Sequence, residues 1–239
     1  MLNKTMLYTI LFILVIGYTS SMIPPTHIVK HDLHNKLENY LNDPKFPIII
    51  NHGPAGTGKT TIACRYSIES LKKHKYEKIK ITRPIVSTDE TLGFLPGDLN
   101  EKMNPWLLPI LDVFHEYYNK ADVQNMIKND VIEIVPFSFM RGRTFKNSII
   151  IADEMQNSTP AQMKMLLTRL GENSKLIITG DLKQSDINYE NGLSNFLNLL
   201  NYKYKNKYEI YENGFGLIEF NDELIVRHPM VKNVIKLYE

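Results

Sequence analysis

The run Gly53-Pro54-Ala55-Gly56-Thr57-Gly58-Lys59-Thr60 satisfies the spacing G-x-x-x-x-G-K-[ST] and lies between an apolar, β-prone segment and a helix-prone one. Glycines at these positions let the backbone curl so that successive N–H groups point inward, and the following helix adds the positive end of its dipole. Such a loop is built for phosphate. In that cradle Lys59 reaches the β- and γ-phosphates, the Thr60 hydroxyl is suited to ligate Mg²⁺, and Thr61 completes the first turn. Four fixed positions recur by chance in about one chain in a hundred of this length, and the strand-to-helix setting makes chance rarer still. The candidate nucleotide-binding residues are therefore Gly53, Pro54, Ala55, Gly56, Thr57, Gly58, Lys59, Thr60 and Thr61.

A loop of this kind needs a strand behind it, and the chain supplies several. Short apolar runs at 46 to 51, 78 to 82, 131 to 135, 148 to 153 and 175 to 181 alternate with helical segments. The runs are continuous rather than alternating in polarity, as expected of parallel strands buried on both faces. The expected fold is α/β, a parallel sheet sandwiched by helices. The clearest helix start is Thr159-Pro160-Ala161-Gln162, where Thr159 caps, Pro160 suits the first turn and Gln162 reaches back. Met163, Leu166, Leu167 and Leu170 form its apolar stripe, and Gly171 offers a left-handed stop. Further on, the pattern predicts a helix near Leu193 to Leu200, a Lys/Tyr/Asn-rich loop at 201 to 208, a small hairpin from Tyr208 to Phe220 and a terminal helix from Pro229.

Two strand ends carry polar groups suited to the same site. The run ending at Ala152 is followed by Asp153-Glu154, at the edge where α/β sheets bind ligands. Asp153 fits a carboxylate that holds a ligand water of Mg²⁺, and Glu154 one that orients and deprotonates an attacking water. Alone, such a pair could merely cap the next helix; beside the glycine loop the catalytic reading gains weight. Gly180-Asp181-Leu182-Lys183-Gln184 follows another apolar run, and its Gln184 is placed to hydrogen-bond the γ-phosphate and report its loss. Alone it would read as a turn.

The chain has 239 residues with 28 Lys and Arg against 26 Asp and Glu, so overall charge argues neither for nor against a polyanionic partner. One cysteine, Cys64, excludes an intramolecular disulfide and fits a reducing, cytoplasmic setting; within a helical run it reads as a small buried residue. The N-terminal stretch stands apart, because Met6 to Tyr18 is almost unbroken apolar sequence after Lys4. About 13 strongly apolar residues fall short of the roughly 20 a spanning helix needs. Three readings stay open: a signal peptide, an uncleaved membrane anchor through residues 6–23 with the domain on the cytosolic side, or a leader that docks on the domain or is skipped by a start at Met22. The organisation expected is a leader at 1–23, a linker with a short helix (Leu33 to Leu41) at 24–44, and one domain at 45–239.

With these motifs in order, the chain resembles P-loop ATPases of the superfamily-1 helicase kind, and more specifically the PhoH-like family. Further residues that carry the resemblance are Thr82-Arg83-Pro84, Leu92 to Leu99, Phe139-Met140-Arg141-Gly142-Arg143-Thr144 and Val226-Arg227-His228-Pro229. The resemblance covers roughly residues 45 to 239. It implies a RecA-like sheet, ATP with Mg²⁺, and assembly into homo-oligomeric rings such as hexamers, with nucleotide between subunits. It also implies that a neighbour's arginine neutralises the transferred phosphoryl group; Arg227 is the first candidate, with Arg141 and Arg143 behind it. Arg141 and Arg143 flank Gly142 and could equally grip a nucleic-acid phosphate. The segment from Lys30 to Pro47 lacks the Thr-Pro-x-Gln run that reads adenine in relatives, so ATP rather than GTP is implied by family alone. Catalytic roles fall on Lys59, Glu154, Gln184 and Arg227. The expected function is an ATPase working as an oligomeric motor or remodeller on RNA or single-stranded nucleic acid. The alternative is a nucleotide-gated interaction protein with negligible turnover, tethered to a membrane if residues 6–23 anchor it.

Overall fold

The computed structural model describes residues 32–84, 99–187 and 190–224, with side chains from Leu107 onward in the helix that opens the second stretch. The elements in chain order are α1 (Asp32–Asn42), β1 (Ile48–His52), α2 (Lys59–Lys72), β2 (Lys78–Thr82), α3 (Leu99–His115), α4 (Lys120–Lys128) and β3 (Ile132–Ile134). After these come β4 (Ser148–Ala152), α5 (Pro160–Leu167), β5 (Lys175–Gly180), α6 (Gly192–Lys203), α7 (Lys207–Glu212) and β6 (Phe215–Glu219). Six strands form one sheet in the order β3-β2-β4-β5-β1-β6. Every pairing is parallel. This is the parallel sheet between helices that the sequence pattern predicts, and it agrees with the RecA-like sheet that the family resemblance implies.

Successive strand residues point to opposite faces, so continuous isoleucine runs fill two cores at once. Ile149 and Ile151 of β4, with Ile49, Ile79, Ile81 and Ile177, meet α1, α2, α3 and α4 on one face. Ile150 and Ala152, with Ile50 and Ile178, meet α5, α6 and α7 on the other. Cys64 lies fully buried in the first core. Burial pushes its thiol well above the usual range, so it stays neutral. Among the described residues no helix is long and apolar enough to cross a membrane.

Most expected elements are present, and the α5 start is a full capping box: Thr159 Oγ1 accepts from the Gln162 amide at 3.1 Å and Gln162 Oε1 accepts from the Thr159 amide at 2.9 Å. Three expectations need correction. The hairpin from Tyr208 to Phe220 is absent: Lys207–Glu212 is helix α7, capped by Asn206, and β6 pairs in parallel with β1 from Ile48↔Phe215 to His52↔Glu219. A parallel edge strand needs a crossover, and α6 with α7 provides it. Consequently residues 201 to 208 are not one loop, since α6 runs to Lys203 and α7 begins at Lys207. Gly171 is no left-handed helix stop either. Helix α5 ends at Leu167 with Thr168 as its cap. Gly171 instead donates to the Phe145 carbonyl at 2.8 Å, and a Cβ there would stand 2.5 Å from that oxygen. The terminal helix from Pro229 lies outside the described residues, as do residues 1–31.

The short helix ahead of β1 packs into the core, with Leu37 and Leu41 fully buried. Its two ends are tied to distant parts of the chain. Near its N-terminus His34 Nε2 hydrogen-bonds the Thr57 carbonyl at 2.9 Å. At its C-terminus the buried Lys175 ammonium donates to the carbonyls of Leu41 (2.8 Å), Asp43 (2.9 Å) and Tyr40 (3.3 Å). Helix carbonyls otherwise left without partners are thereby satisfied by a cation, which also favours the negative end of the dipole. Burial, reinforced by Lys75 and opposed by Asp43, pushes the Lys175 ammonium down to about 8.

An unfolded lysine titrates near about 10.4, so between these values the unfolded chain binds more protons and stability rises with pH. Below about pH 8 Lys175 is charged in both states and adds no slope. Urea unfolding of wild type and Lys175→Met across about pH 7 to 10 should therefore show wild type gaining on the variant as pH rises. A difference that stays flat over that range would show that Lys175 keeps an ordinary pKa in the fold.

Candidate functional site

The glycine loop leaves β1 at its C-terminal edge, and its shape depends on backbone conformations that side chains oppose. Gly53, Gly56 and Gly58 have φ of 137°, 81° and 84°. At Gly53 a Cβ would also lie 2.3 Å from the Phe220 carbonyl oxygen, so the chain leaving β6 closes directly over the start of the loop. Gly58 is the N-cap of α2 and offers no capping side chain, leaving the first-turn amides available to an anion. The loop is braced from within: Thr57 Oγ1 donates to the Pro54 carbonyl at 2.9 Å, and the Ala55 amide donates to Asp181 Oδ2 at 3.2 Å. Lys59 Nζ donates to the carbonyls of Gly53 and Pro54, each at 2.6 Å, and to Thr57 Oγ1 at 3.3 Å.

The strand order sets β5 between β1 and β4, so the three chemically distinctive tips are neighbours. The Gly53 amide donates to the Gly180 carbonyl at 3.0 Å, continuing the β1–β5 ladder into both loops. From β4, Asp153 Oδ1 accepts a bond from Thr60 Oγ1 at 2.8 Å and another from Thr179 Oγ1 of β5. Thr60 is the loop's hydroxyl and Asp153 the β4 carboxylate, so the two groups expected to share one cation touch each other. Glu154 then turns left-handed, at φ 54° and ψ 40°. A non-glycine residue in that region carries strain, and here the turn separates the two carboxylates immediately after the strand.

Gln156 ties these tips together. Its Nε2 donates to Glu154 Oε2 at 2.6 Å and to the Gln184 carbonyl at 3.3 Å, while its Oε1 accepts from the Asp181 amide at 3.0 Å. Gly180 makes room for it, because a Cβ there would sit 2.8 Å from Gln156 Oε1 and 2.6 Å from Leu193 Cδ2. Asp181 in turn spans the Ala55 amide and, through Oδ1, the Lys183 amide at 3.0 Å.

Ala55, Gly56, Gly58, Lys59, Thr60 and Thr61 line one cleft together with Asp153, Glu154, Thr179, Gly180, Asp181 and Gln184. Its volume is about 240 Å³. That is below the ~300–1,000 Å³ of pockets that enclose a drug-sized ligand, so it suits the polyphosphate end of a nucleotide. Gly53 and Pro54 instead border a hollow of about 520 Å³ shared with His52, Glu219 and Asp222. Burial holds the His52 imidazole below its ordinary value. Thr57 is fully buried as a brace of the loop.

Arg227 lies outside the described residues. Arg141 is exposed. Arg143 pairs with Glu133 at 2.5 Å, and Glu133 also holds Lys80. Burial alone would raise the Glu133 carboxyl, but Lys80 and Arg143 outweigh it and hold the group below the usual range. The roles of Gln156, Asp181 and Thr179 escape the sequence reading. Gln156 had one visible signal, a carboxamide two residues past the acid pair; the partners of the other two are set only by strand adjacency.

A family model described as PhoH-like protein matches residues 23–239. The chain is 42% identical over 192 residues to a PhoH-like protein of Bacillus subtilis (strain 168), covering 80% of this chain and 58% of that one. It is 39% identical over 197 residues to Protein PhoH of Escherichia coli (strain K12), covering 80% and 52%. The chain thus spans little more than half the length of these curated relatives. Among solved structures it is similar to the large terminase of a thermophilic bacteriophage, with TM-score 0.45 and 12% identity over 84% of this chain and 49% of that one. It is also similar to the Pif1 helicase of Candida albicans, with TM-score 0.39 and 11% identity over 89% and 45%.

If Gln156 positions Glu154, the Gln156→Met variant should lose ATP turnover by about tenfold or more while its KM for ATP changes little. Gln156→Glu should not restore it, since a carboxylate cannot donate to Glu154. Equal losses in kcat and in nucleotide affinity would mean that Gln156 merely supports the loop.

Proposed function

Since this chain belongs to the PhoH-like family, we propose that it is a Mg²⁺-dependent ATPase that works as an oligomeric motor or remodeller on RNA or single-stranded nucleic acid. The observation that carries the hydrolytic part is the convergence of Lys59, Thr60, Asp153, Glu154 and Gln184 on one cleft. In this reading the triphosphate enters along the loop amides, and Lys59 exchanges its bonds to the Gly53 and Pro54 carbonyls for phosphate oxygens. The Thr60 hydroxyl and the Asp153 carboxylate fit Mg²⁺, which takes few protein ligands beside phosphate oxygens and water. Held there, the ion would supply charge neutralisation for the phosphoryl group being transferred.

Glu154 takes the proton of the attacking water, and its bond from Gln156 keeps one carboxylate oxygen fixed while the other is left to act. Gln184 reads the γ-phosphate from the neighbouring tip. In this reading several subunits cooperate to change grip on a strand. The finger expected at Arg227 would then act across the boundary between neighbours.

Glu154→Gln should keep ATP binding and lose turnover by about 10²–10⁴-fold, read as phosphate release and as nucleotide affinity in the same preparation. Lys59→Ala should weaken binding itself. Slow hydrolysis left unchanged by Glu154→Gln would favour the alternative of a nucleotide-gated interaction protein.

A further inference from the structure

The connection from β3 to β4 presents two side chains that nothing in the hydrolytic site uses. Phe137 and Met140 are anchored in the core, at 8% and 0% exposure, whereas Phe139 between them is 58% exposed. Arg141 follows on the surface. The backbone holding them is a built turn. The Phe139, Met140 and Arg143 amides donate to the carbonyls of Pro136 (2.9 Å), Phe137 (3.2 Å) and Met140 (3.1 Å), and Gly142 takes φ 80°. Below the turn, Arg143 is fixed by Glu133, its guanidinium lies 5.2 Å from the Phe145 ring centroid, and Arg169 Nη1 donates to its carbonyl at 2.9 Å. Phe139 and Arg141 are thus displayed by a frame that holds itself in place.

Charge decides what such a display suits. Glu133 is the one carboxylate paired to this frame among the described residues, and it is shared by Lys80 and Arg143. The Arg169 guanidinium donates to the Met165 and Arg143 carbonyls and to Thr168 Oγ1, all uncharged. Arg141 has no ion pair among the described residues. The frame therefore carries surplus positive charge around a single exposed ring. A lone aromatic in a cationic setting is poorly suited to an apolar protein contact and well suited to a polyanion with flat rings.

We infer that Phe139 and Arg141 form a contact for single-stranded nucleic acid, in which the Phe139 ring stacks on one base and the Arg141 guanidinium holds an adjoining phosphate. The contact rests on the proposal that the chain works on such strands, and it gives that proposal a location. It lies on the loop that feeds directly into β4, the strand that leads into Asp153. Met140, the anchor of the turn, shares its core with Met155, which follows Glu154. A strand held at the turn is thus one packed core away from the catalytic carboxylates.

Fluorescence anisotropy of end-labelled oligo(U) and oligo(dT) with the full chain tests this. Phe139→Ala should weaken binding of both by about tenfold or more, and Phe139→Trp should restore it. Arg141→Gln should lower the slope of log affinity against log salt by about one. Phe139→Ala should leave ATP turnover without nucleic acid, and the mass of the assembly, unchanged. If wild type binds the oligonucleotides and both variants bind as well, the contact is wrong while the nucleic-acid function stands. If wild type binds neither oligonucleotide yet hydrolyses ATP, the contact and the nucleic-acid part of the function fall together and the ATPase survives. If Phe139→Ala changes the mass of the assembly, the ring belongs to a protein interface and the inference fails.

Discussion

Parallel pairing makes every strand of the sheet end on the same edge, so which tips meet is decided by strand order and not by distance along the chain. Inserting β5 between β1 and β4 places the glycine loop, the acid pair and the Gly180 to Gln184 run side by side, although they lie at residues 53, 153 and 180. The bonds Gly53 to Gly180 and Thr60 to Asp153 cross these gaps directly. Moving any one of these strands to the far edge of the sheet would leave its motif intact and separate it from the others. The site is therefore a property of topology first and of residue identity second.

Topology alone does not aim the groups, and the structure uses local strain and burial to do so. Glu154 adopts a left-handed conformation that a non-glycine residue resists, and it is held there by Gln156, whose other bonds reach the β5 tip. The carboxamide has donors and an acceptor in one plane, so it can link a carboxylate, a carbonyl and an amide at the same time. A carboxylate or an aliphatic residue at 156 could satisfy only part of that set. On the other flank, α1 couples the loop to the base of the sheet through His34 at one end and the Lys175 cap at the other. The loop is thus held from β5, from α1 and from its own threonine, which is what a cradle needs if its amides are to be aimed before a phosphate arrives.

Much of this was legible in the sequence because the signals are local. Strands β2, β4 and β5 follow from unbroken apolar runs, and α5 from a capping pattern confined to Thr159 to Gln162. The loop motif carries its own conformation, since three of its glycines take positive φ. What failed depends on contacts between distant segments. Gly214 and Gly216 look like hairpin breakers, but Gly216 is small because Tyr40 and Ile49 close on it, and the segment before them prefers helix once Asn206 caps it. Gly171 resembles a helix stop and is in fact the point where α5's exit crosses the Phe145 backbone. Gly180 and Gln156 explain each other only in space. The glycines were legible as special residues but their partners were not, and Gln156 was not singled out at all.

Under the proposed function, the bonds of Lys59 determine how nucleotide affinity would be built. Its ammonium is nearly buried, and its short contacts to two loop carbonyls and Thr57 already satisfy most of its hydrogen-bonding capacity. A buried cation with no acceptors would cost several kcal/mol, so these carbonyls stabilise the loop when phosphate is absent. In the proposed reading, binding would exchange neutral acceptors for charged ones, and the net gain would be the difference between the two sets rather than the full strength of a lysine–phosphate pair. That difference still favours phosphate, because charge-assisted bonds are roughly twice as strong as neutral ones. The released Gly53 and Pro54 carbonyls must find new partners or water. Both residues border the neighbouring hollow with His52 and Asp222, where the lining is in part polar.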